Sequence, residues 1–568
     1  MFLPATRNEM QERGWQQCDV ILVSGDSYID SPYIGVAVIG KILVKAGYRV
    51  GIISQPDISS EKDITRLGEP ALFWGVSGGS VDSMVANYTA LKKKRHQDDY
   101  TPGGENTRRP DRAVIAYTNL IRKHYKQTAP IVLGGIEASL RRIAHYDYWT
   151  DKVRGSVLFD AKADYLLYGM AERAIVELAA ALKQKKSPES IRGLCYKSAD
   201  VPELYWTLPS LAEVKQDKHK FWQMFETFYA HNDPHTARGL AQLHDTRYLV
   251  QNPPQPYLTQ AELDKVSALP FEYAVHPIDA RRGEVRALDT IRFSIKTHQG
   301  CYGECTFCSI AVHEGRTVRW RSPESIIEEA KKITELPGFK GYLLDVGGPT
   351  ANMYGFECTK KLKRGACSDI SCVSPEVCKS LQPTHEPYRQ VLDTLSRLPK
   401  IKIVFVSSGI RYDLLFADKK DGPAFMEDLV AHHVSGQLKI APEHTDDRIL
   451  KSMRKPLFAQ TIQFKQWFDQ LSLKVKKKQF LTYYFIAAYP GCGEREMKAM
   501  KRTVSQELRM TPEQIQVFTP TPSTLATAMY YTEIDGPHGN TIFVEKDLGR
   551  KRKQVDIVLA DDRKGLRR

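Results

Sequence analysis

What this sequence lacks excludes several common classes of protein. It contains no uninterrupted apolar run long enough to cross a bilayer. The first residues, MFLPATRNEMQERGW, include no apolar segment of the kind found in signal peptides. Ten cysteines in 568 residues are too few for a disulfide scaffold. Together these absences predict a cytoplasmic globular protein with two or three domains.

The basic residues do not form a recognition motif. Lys and Arg number 81 against 67 Asp and Glu, which gives a net charge of +14. Such a charge suits a polyanionic partner, for example a nucleic acid. The basic groups are scattered, however, and no aromatic residues are interleaved with them. The pattern favours solvated surfaces and leaves nucleic-acid binding open.

The first third of the chain alternates between apolar runs and stretches with helical spacing. Buried strands are predicted at residues 19–26, 49–55, 71–79, 130–139 and 163–170. Most of these runs are followed by a polar or glycine-rich loop and then a helical stretch. Residues 1–198 are therefore predicted to form an α/β domain with a doubly wound parallel sheet, which binds ligands at the carboxyl ends of its strands.

The remainder of the chain divides into three further segments. Residues 199–286 show no clear repeat and are predicted to form a helical linker region. From residue 287 to 545 six strands recur between helices, namely TIRFSIKTH, GYLLDVG, KIVFVSS, GQLKIAP, FLTYYFIAAYP and QIQVFTPTP. Six β/α units with right-handed crossovers predict an open relative of the (β/α)8 barrel. Residues 546–568 are predicted to be a loosely ordered basic tail.

Seven of the ten cysteines lie between residues 301 and 378, and three of them form the run Cys301-Tyr-Gly-Glu-Cys305-Thr-Phe-Cys308. This spacing allows three thiolates to face one soft-metal centre. A cuboidal 4Fe–4S cluster normally has four ligands, so three cysteines leave one iron open. The run follows the first predicted barrel strand, at the face where barrels place their chemistry. A structural zinc site short of one ligand is the alternative.

This motif, with Phe307 before the last cysteine, resembles the signature of the radical S-adenosylmethionine superfamily. The chain is most similar to the YgiQ family, notably in VLGGIEASLRRIAHYDYW, VQNPPQPYLTQAELDKV, SIKTHQGCYGECTFCSIA, DVGGPTANMYG, SSGIRYDL, LKIAPEHT and ATAMYYT. The resemblance implies that S-adenosylmethionine chelates the open iron. One electron from a flavodoxin- or ferredoxin-type reductant would then cleave it to methionine and a 5′-deoxyadenosyl radical.

The same resemblance implies a set of cofactor-binding residues at strand ends, namely Phe307, Gly347, Gly348, Ser408, Arg411 and Glu443. The glycine pair resembles the one whose backbone approaches the amino group of the cofactor. The acidic residue that usually follows this pair is replaced here by Pro349-Thr350. For the glycines the alternative is ordinary turn chemistry, and for the others the usual polarity of strand ends.

A second cysteine group lies in a predicted insertion over residues 356–385. It consists of Cys358, Cys367, Cys372 and Cys378. The insertion is basic and short of large apolar residues, so a metal would help to stabilise it. Thiolate ligands allow zinc or a second iron–sulfur cluster. Four reduced cysteines without metal are the alternative.

The glycine-ended strands at 78–79 and 134–135 look like those of the cobalamin-binding domains of some radical enzymes. Where such a domain supplies an axial histidine, this chain reads GDSYIDSPYIG. The missing histidine argues against histidine-ligated cobalamin and leaves a form without a protein ligand open. The N-terminal sheet is thus predicted to be cobalamin-binding-like, followed by a partial (β/α)6 radical SAM barrel.

The sequence therefore predicts a radical S-adenosylmethionine enzyme that acts on an unidentified substrate. A radical methyltransferase or methylthiotransferase, using cobalamin or a second cluster, is the alternative within this class. An iron–sulfur regulator that binds nucleic acid is an alternative outside it. The predicted barrel argues against the regulator, because a sensor rarely needs a buried cofactor cavity.

Overall fold

The computed structural model describes residues 1–368, 371–536 and 539–560. The chain divides into two compact units, Met1–Arg292 and Phe293–Arg568. Within the described ranges, none of the helices combines the length and apolar content needed to span a bilayer.

The first unit is built around a mixed sheet. Its strands are β1 (Val20–Ser24), β2 (Ile29–Asp30), β3 (Val50–Ser54), β4 (Phe73–Ser77), β5 (Ile131–Gly134), β6 (His145–Asp147), β7 (Lys152–Arg154), β8 (Tyr165–Leu167), β9 (Leu194–Ser198), β10 (Trp206–Leu208), β11 (Leu240–His244), β12 (Arg247–Gln251) and β13 (Ala274–Val275). Nine of them form one sheet in the order β10-β11-β12-β9-β8-β5-β4-β1-β3. The part β3-β1-β4-β5-β8 is parallel, which confirms the predicted doubly wound sheet.

Helices connect the strands of this unit. They are α1 (Arg7–Gln11), α2 (Gly35–Lys45), α3 (Ser83–Asn87), α4 (Ala113–His124), α5 (Gly135–Leu140), α6 (Val157–Asp160), α7 (Glu172–Lys183), α8 (Leu211–Gln216), α9 (Lys218–Ala230), α10 (Gln260–Ser267), α11 (Pro277–Ala280) and α12 (Ala287–Ile291). Strand β1 is buried along its whole length, as expected for a parallel strand covered on both faces. Counted in chain order, the parallel strands are arranged 2-1-3-4-5, and the topological switch point lies between β1 and β4.

The helical linker predicted for residues 199–286 needs correction. Helices α8 to α12 lie in or near it, but β10, β11 and β12 join the large sheet. Strands β11 and β12 form an antiparallel hairpin that turns at Asp245, whose φ is +54°. Each strand has two consecutive buried residues, Leu240 and Ala241 in β11 and Leu249 and Val250 in β12. Neither strand therefore shows the alternation that reveals a half-exposed strand.

The second unit contains six parallel strand positions. Its strands are β14 (Ser294–Lys296), β15 (His298–Gln299), β16 (Arg319–Trp320), β17 (Tyr342–Leu343), β18 (Asp345–Gly347), β19 (Ile403–Val404), β20 (Gln437–Glu443), β21 (Phe480–Ala487), β22 (Gln516–Val517), β23 (Ile534–Asp535) and β24 (Asn540–Thr541). The ladders β14–β18, β17–β19, β20–β21 and β21–β22 are parallel. Because β17 and β18 are consecutive parts of one strand, these positions match the six predicted barrel strands.

Helices separate the parallel strands of the second unit. They are α13 (Ile310–His313), α14 (Pro323–Thr334), α15 (Thr359–Arg364), α16 (Glu386–Ser396), α17 (Tyr412–Ala417), α18 (Gly422–Asp428), α19 (Asp447–Met453), α20 (Phe458–Lys474), α21 (Glu494–Thr503), α22 (Leu525–Thr532) and α23 (Leu548–Leu559). The loops after β14, β18, β19, β20 and β21 all leave carboxyl ends of parallel strands. In such a fold these ends meet at one edge of the unit.

The prediction of a loosely ordered tail from residue 546 is wrong for α23, while residues 561–568 lie outside the described residues. Val555 and Val558 are buried, and Gln554 accepts a hydrogen bond from the Ala488 N–H (2.9 Å). Lys551 is fully buried, with its ammonium 4.6 Å from the centre of the Tyr530 ring. Half of the buried residues of this helix are therefore polar. For that reason the hydropathy of the sequence did not indicate a packed helix here.

The packing of α23 predicts a loss of stability on truncating its apolar contact. Val558→Ala should lower the free energy of unfolding by about 2 kcal/mol, because it removes two buried methyl groups. Thermal unfolding followed by circular dichroism measures this effect. Arg552→Ala, on the exposed side of the same helix, is the matched control. Equal melting temperatures for the two variants would show that α23 is not packed.

Candidate cofactor site

The cysteine motif forms a loop at the carboxyl end of the first barrel strand. Gly300 turns the chain with a φ of +81°, and a Cβ there would lie 2.4 Å from the Thr317 carbonyl oxygen. Only glycine fits this position. The Gly300 N–H donates to Glu314 (3.0 Å), and the Cys301 N–H donates to the Gly315 carbonyl oxygen (3.2 Å). These contacts fix the direction in which the motif enters the site.

Two of the three sulfurs lie close to Gly303. A Cβ on this glycine would be 3.2 Å from Cys301 Sγ and 3.8 Å from Cys305 Sγ. The Gly303 N–H donates to Cys301 Sγ (3.4 Å), and the Thr350 hydroxyl lies 3.7 Å from the same sulfur. Burial raises the pKa of Cys301, and the neighbouring Cys305 raises it further. The loop thus holds sulfurs that repel each other when ionised.

Cys308 completes the group. Burial raises its pKa, with further increases from Cys305 and Cys301. Its N–H donates to the Cys305 carbonyl oxygen (2.9 Å), which closes the end of the loop. Because the thiolate is the form that binds metal, three such sulfurs stay ionised together only beside a strong positive partner, such as iron.

A cuboidal cluster suits this loop better than a single ion does. Within residues 1–368, 371–536 and 539–560, no three His, Cys, Asp or Glu side chains surround a common point as ligands of one metal ion. A 4Fe–4S cluster has a different requirement, because each cysteine binds its own iron and the sulfurs lie farther apart. The donor set of three thiols in one short loop therefore fits the cluster.

Two contacts that the sequence did not predict pin the middle of the loop. Glu304 forms a buried ion pair with Arg316 (3.1 Å). The Thr306 hydroxyl lies 2.7 Å from the Tyr489 hydroxyl and donates to the Ser452 carbonyl oxygen (3.0 Å). Tyr489 follows β21 and Ser452 belongs to α19, so distant segments hold the loop. No local pattern in the sequence indicates such partners.

The glycine pair after the second strand is required by close packing. A Cβ on Gly347 would lie 3.0 Å from the Ser408 hydroxyl, and one on Gly348 would lie 2.6 Å from the His298 ring. The Thr297 N–H and hydroxyl both donate to the Gly347 carbonyl oxygen (2.7 and 3.0 Å). The packing explains both glycines without a ligand, and their predicted contact with a cofactor stays a prediction.

His298 is a site residue that the sequence analysis missed. It is fully buried directly before the cysteine loop, and burial lowers its pKa to about 4, so it is neutral at pH 7. The Thr297 hydroxyl lies 2.8 Å from Nδ1. Nε2 makes no side-chain hydrogen bond within the described residues, while the Thr350 backbone raises the pKa of the ring and the charge of Lys296 lowers it.

The two predicted polar residues after β19 are bound within the protein. Ser408 donates its hydroxyl to Asp345, and this carboxylate also accepts the N–H groups of Ser407 (2.8 Å) and Ser408 (3.0 Å). Arg411 is buried, paired with Asp413 and directed at Cys305. The structure therefore brings Arg411 to the cysteine loop and uses Ser408 to join two strand ends.

Glu443 ends the fourth strand in an unusual backbone conformation. Its φ is +71°, and Ala488 at the end of the neighbouring strand has a φ of +57°. Non-glycine residues in this region cost about 1 kcal/mol each. Burial raises the pKa of Glu443, whose carboxylate lies 3.5 Å from the Lys455 ammonium. Phe307, the remaining predicted residue, is half-buried within the cysteine loop.

The second cysteine group packs partly against the first. Cys358 belongs to a buried apolar cluster with Tyr302 and Phe356, and Cys372 packs against that cluster. The Lys361 ammonium lies 3.6 Å from Cys372 Sγ, and burial raises the pKa of Cys372 to about 11. The insertion thus contacts the cysteine loop through the residue that follows Cys301.

In the first unit, the switch-point crevice between β1 and β4 is filled by the chain itself. Gly25 and Gly78 lie so close that a Cβ on the former would be 2.1 Å from the carbonyl oxygen of the latter. The Arg109 guanidinium, whose side chain is 0% exposed, pairs with Asp26 (2.7 Å) and Asp98 (3.1 Å). It also donates to the Gly78 carbonyl oxygen (2.8 Å).

The neighbouring strand end is filled in the same way. A Cβ on Gly78 would lie 2.3 Å from a carboxylate oxygen of Glu137, which accepts the Ser83 N–H (2.9 Å). Arg141 pairs with Asp82, whereas Arg142 stacks over the Tyr168 ring at 4.3 Å. Side chains thus occupy the place where a sheet of this type receives a ligand.

Sequence comparisons agree with this architecture. A family model described as radical SAM N-terminal matches residues 2–294, and one described as radical SAM superfamily matches residues 295–504. A UPF0313 protein of Fusobacterium nucleatum is 54% identical, with 98% of both chains covered. A UPF0313 protein of Thermotoga maritima is 48% identical with the same coverage.

Solved structures share the fold at low sequence identity. The radical S-adenosylmethionine methyltransferase TsrM of Kitasatospora setae, with cobalamin and a [4Fe-4S] cluster bound, has a TM-score of 0.53 and 14% identity, covering 96% of this chain and 90% of that one. The cobalamin-dependent radical enzyme OxsB has a TM-score of 0.50 and 12% identity, covering 92% and 57%. At these identities the similarity establishes the fold alone.

The geometry of the loop predicts the effect of a glycine substitution. Gly300→Ala should impair iron incorporation, because the new Cβ meets the Thr317 carbonyl oxygen and the positive φ costs about 1 to 2 kcal/mol. Iron and sulfide content after anaerobic reconstitution measures the effect. Gly35→Ala, where a Cβ meets nothing within 4 Å, is the control. Full iron content in the Gly300 variant would contradict this account.

Proposed function

This chain belongs to the radical S-adenosylmethionine superfamily and, within it, to the YgiQ family of UPF0313 proteins, and we propose that Cys301, Cys305 and Cys308 hold its 4Fe–4S cluster. S-adenosylmethionine is then the ligand of the fourth iron. The observation that carries this proposal is that the sulfurs of Cys301 and Cys305 flank Gly303 at the carboxyl end of the first barrel strand, with Cys308 close enough for both to raise its pKa.

The chain's own residues bind, orient and shield the reacting groups. When bound, the cluster and S-adenosylmethionine supply one electron and a 5′-deoxyadenosyl radical that takes hydrogen from a substrate. We propose that the cofactor meets the backbone of Gly347 and Gly348 through groups other than the Gly347 carbonyl oxygen, which Thr297 already occupies. Glu443 is a buried acceptor for ribose hydroxyls, and donation from a hydroxyl would offset the burial that raises its pKa. Ala487 and Ala488 form an apolar wall beside it.

Loss of one cluster ligand tests this proposal. Wild-type protein reconstituted without oxygen should hold about four irons per chain and release 5′-deoxyadenosine from S-adenosylmethionine with dithionite. Cys305→Ala should lose both properties, because one iron loses its protein ligand. Cys367→Ala, a half-buried cysteine outside the loop, should keep both. Full 5′-deoxyadenosine formation by the Cys305 variant would refute the assignment.

For the insertion we propose a structural role of its cysteines. Cys358 lies in the apolar cluster, and Cys372 has the Lys361 ammonium beside it, which is itself paired with Glu357 (3.3 Å). Packing and this buried ion pair stabilise the insertion without a metal. The iron analysis distinguishes the alternatives, since a second 4Fe–4S cluster would raise the content to about eight irons, and zinc would appear in the same metal assay.

Cobalamin does not fit the first unit. TsrM and OxsB carry it in their solved structures, and a sheet with this strand order binds ligands at the switch point. Here Arg109, Asp26 and Asp98 fill that crevice as a buried ion-pair cluster. We propose that the enzyme works without cobalamin, so that cobalamin-dependent methyl transfer is not its reaction. The sheet then acts as a scaffold for the unit.

This proposal predicts the outcome of a binding experiment. Full-length protein, reconstituted and incubated with hydroxocobalamin without oxygen, should contain no cobalt and no corrin absorption after desalting. Cobalamin could enter the crevice only if the Arg109 side chain moved out. The carboxylates of Asp26 and Asp98 would then be buried and unpaired, which costs about 3 to 5 kcal/mol. Retention of about one cobalt per chain would overturn the proposal. Transfer of labelled methyl from S-adenosylmethionine without cobalt would instead support methyl transfer by another route.

The proposed cluster also bears on the electron donor and on the cellular compartment. We propose a one-electron donor of the flavodoxin or ferredoxin type, since the three cluster cysteines are only half-buried and leave a short path to the surface. The ten cysteines, all within the described residues, are free thiols. Free thiols and an oxygen-sensitive cluster suit the reducing cytoplasm.

A further inference from the structure

Among the three cluster sulfurs, that of Cys305 faces a cation at short range. Arg411 Nη1 lies 3.8 Å from Cys305 Sγ. The same nitrogen would be 3.0 Å from a Cβ on Gly303, so the missing side chain gives it room. Cys301 receives uncharged donors instead, from Gly303 and Thr350. The guanidinium is only 7% exposed, so water does not screen it strongly.

An ion pair sets the orientation of this guanidinium. Asp413 accepts from Nε with both oxygens (3.0 and 3.1 Å) and from Nη2 with one (2.5 Å). The carboxylate thereby occupies one edge of the planar group. Nη1 is left on the other edge, where it faces the sulfur of Cys305. A planar fork with fixed donors allows this division, which a lysine would not reproduce.

A chain of buried polar groups fixes the backbone of the same residue. The Asn352 side chain accepts the Arg411 N–H and donates to its carbonyl oxygen, both at 2.9 Å. The Asn352 amide also lies 3.1 Å from His385 Nε2, and His385 Nδ1 lies 2.8 Å from Asp418. Both ring nitrogens of His385 are thus engaged, so this histidine holds Asn352 and does not serve the nearby cysteines.

These contacts join three loops, those of Cys305, Asn352 and Arg411, which follow different strands. Together they place the charged donor of Arg411 beside the proposed cluster. We infer that Arg411 is a positioning residue which raises the reduction potential of the proposed cluster through a charge-assisted N–H···S hydrogen bond to Cys305, and that it is not a ligand of S-adenosylmethionine. The inference rests on the proposed cluster. Hydrogen bonds to sulfur and local charge are known determinants of such potentials, because they stabilise the added electron.

The midpoint potential of the cluster, measured without S-adenosylmethionine by redox titration with electron paramagnetic resonance, tests this inference. Arg411→Met should reduce the equilibrium constant for one-electron reduction about tenfold, which lowers the potential by about 59 mV. Arg411→Lys keeps the charge, so its midpoint potential should lie between those of Arg411→Met and wild type. Asp413→Asn removes the opposing charge and should raise the potential. Arg321→Met, which removes another buried arginine paired with Glu329, should leave it unchanged.

The outcomes separate this inference from the proposed function. If reconstituted wild-type protein holds no 4Fe–4S cluster, both the proposed function and the inference are refuted. A cluster whose potential is the same in Arg411→Met and wild type, combined with weaker binding of S-adenosylmethionine, would overturn only the inference and make Arg411 a cofactor ligand. If Arg411→Met assembles too little cluster to titrate, Asp413→Asn decides, and an unchanged or lower potential in that variant overturns the inference.

Discussion

The second unit depends on keeping three sulfur atoms near one another within an eight-residue loop. Their ionised forms repel each other, and burial disfavours the charged state of Cys301 and Cys308. Contacts made outside the motif oppose this repulsion. Gly300 sets the entry of the loop, Glu304 is tied to Arg316, and Thr306 is tied to Tyr489. The loop is thus pre-shaped by neighbouring residues and by Tyr489, which lies far from it in the sequence.

Both units place loops at the carboxyl ends of parallel strands, yet the two edges differ in chemistry. In the first unit Arg109 is matched by two carboxylates and a carbonyl oxygen, so its buried positive charge is fully compensated. Such a cluster is costly to open, because any ligand must replace all of these contacts at once. In the second unit the edge presents thiols that need a positive partner. Proteins that share the fold of the first unit therefore need not share its ligand, because the residues at the strand ends decide what binds.

The sequence predicted those features that depend on local pattern. Apolar runs located the five parallel strands of the first unit and the six strand positions of the second. The cysteine spacing identified the loop that we propose to hold the cluster, since spacing is itself the signal. The sequence did not predict α23, whose buried face includes Lys551 and Gln554, or the hairpin β11–β12, which lacks alternation. It also missed partnerships such as Arg109 with Asp26, which arise only when distant loops meet.

The predicted strand-end residues divide according to whether their polar groups are already satisfied. The Ser408 hydroxyl is used by Asp345, and most of the Arg411 donors are used by Asp413 and Cys305. A buried polar group without a partner costs about 1 to 3 kcal/mol, so each one needs an explanation, such as an ordered water, a strained site or a ligand that completes it. Of the groups discussed at these strand ends, His298 Nε2 makes no hydrogen bond within the described residues, whereas the Glu443 carboxylate has the Lys455 ammonium 3.5 Å away. Because the Thr297 hydroxyl donates to Gly347, its oxygen accepts from His298 Nδ1. Unsatisfied hydrogen-bonding capacity, rather than polarity at a strand end, is therefore the criterion for choosing which residues to test as cofactor ligands.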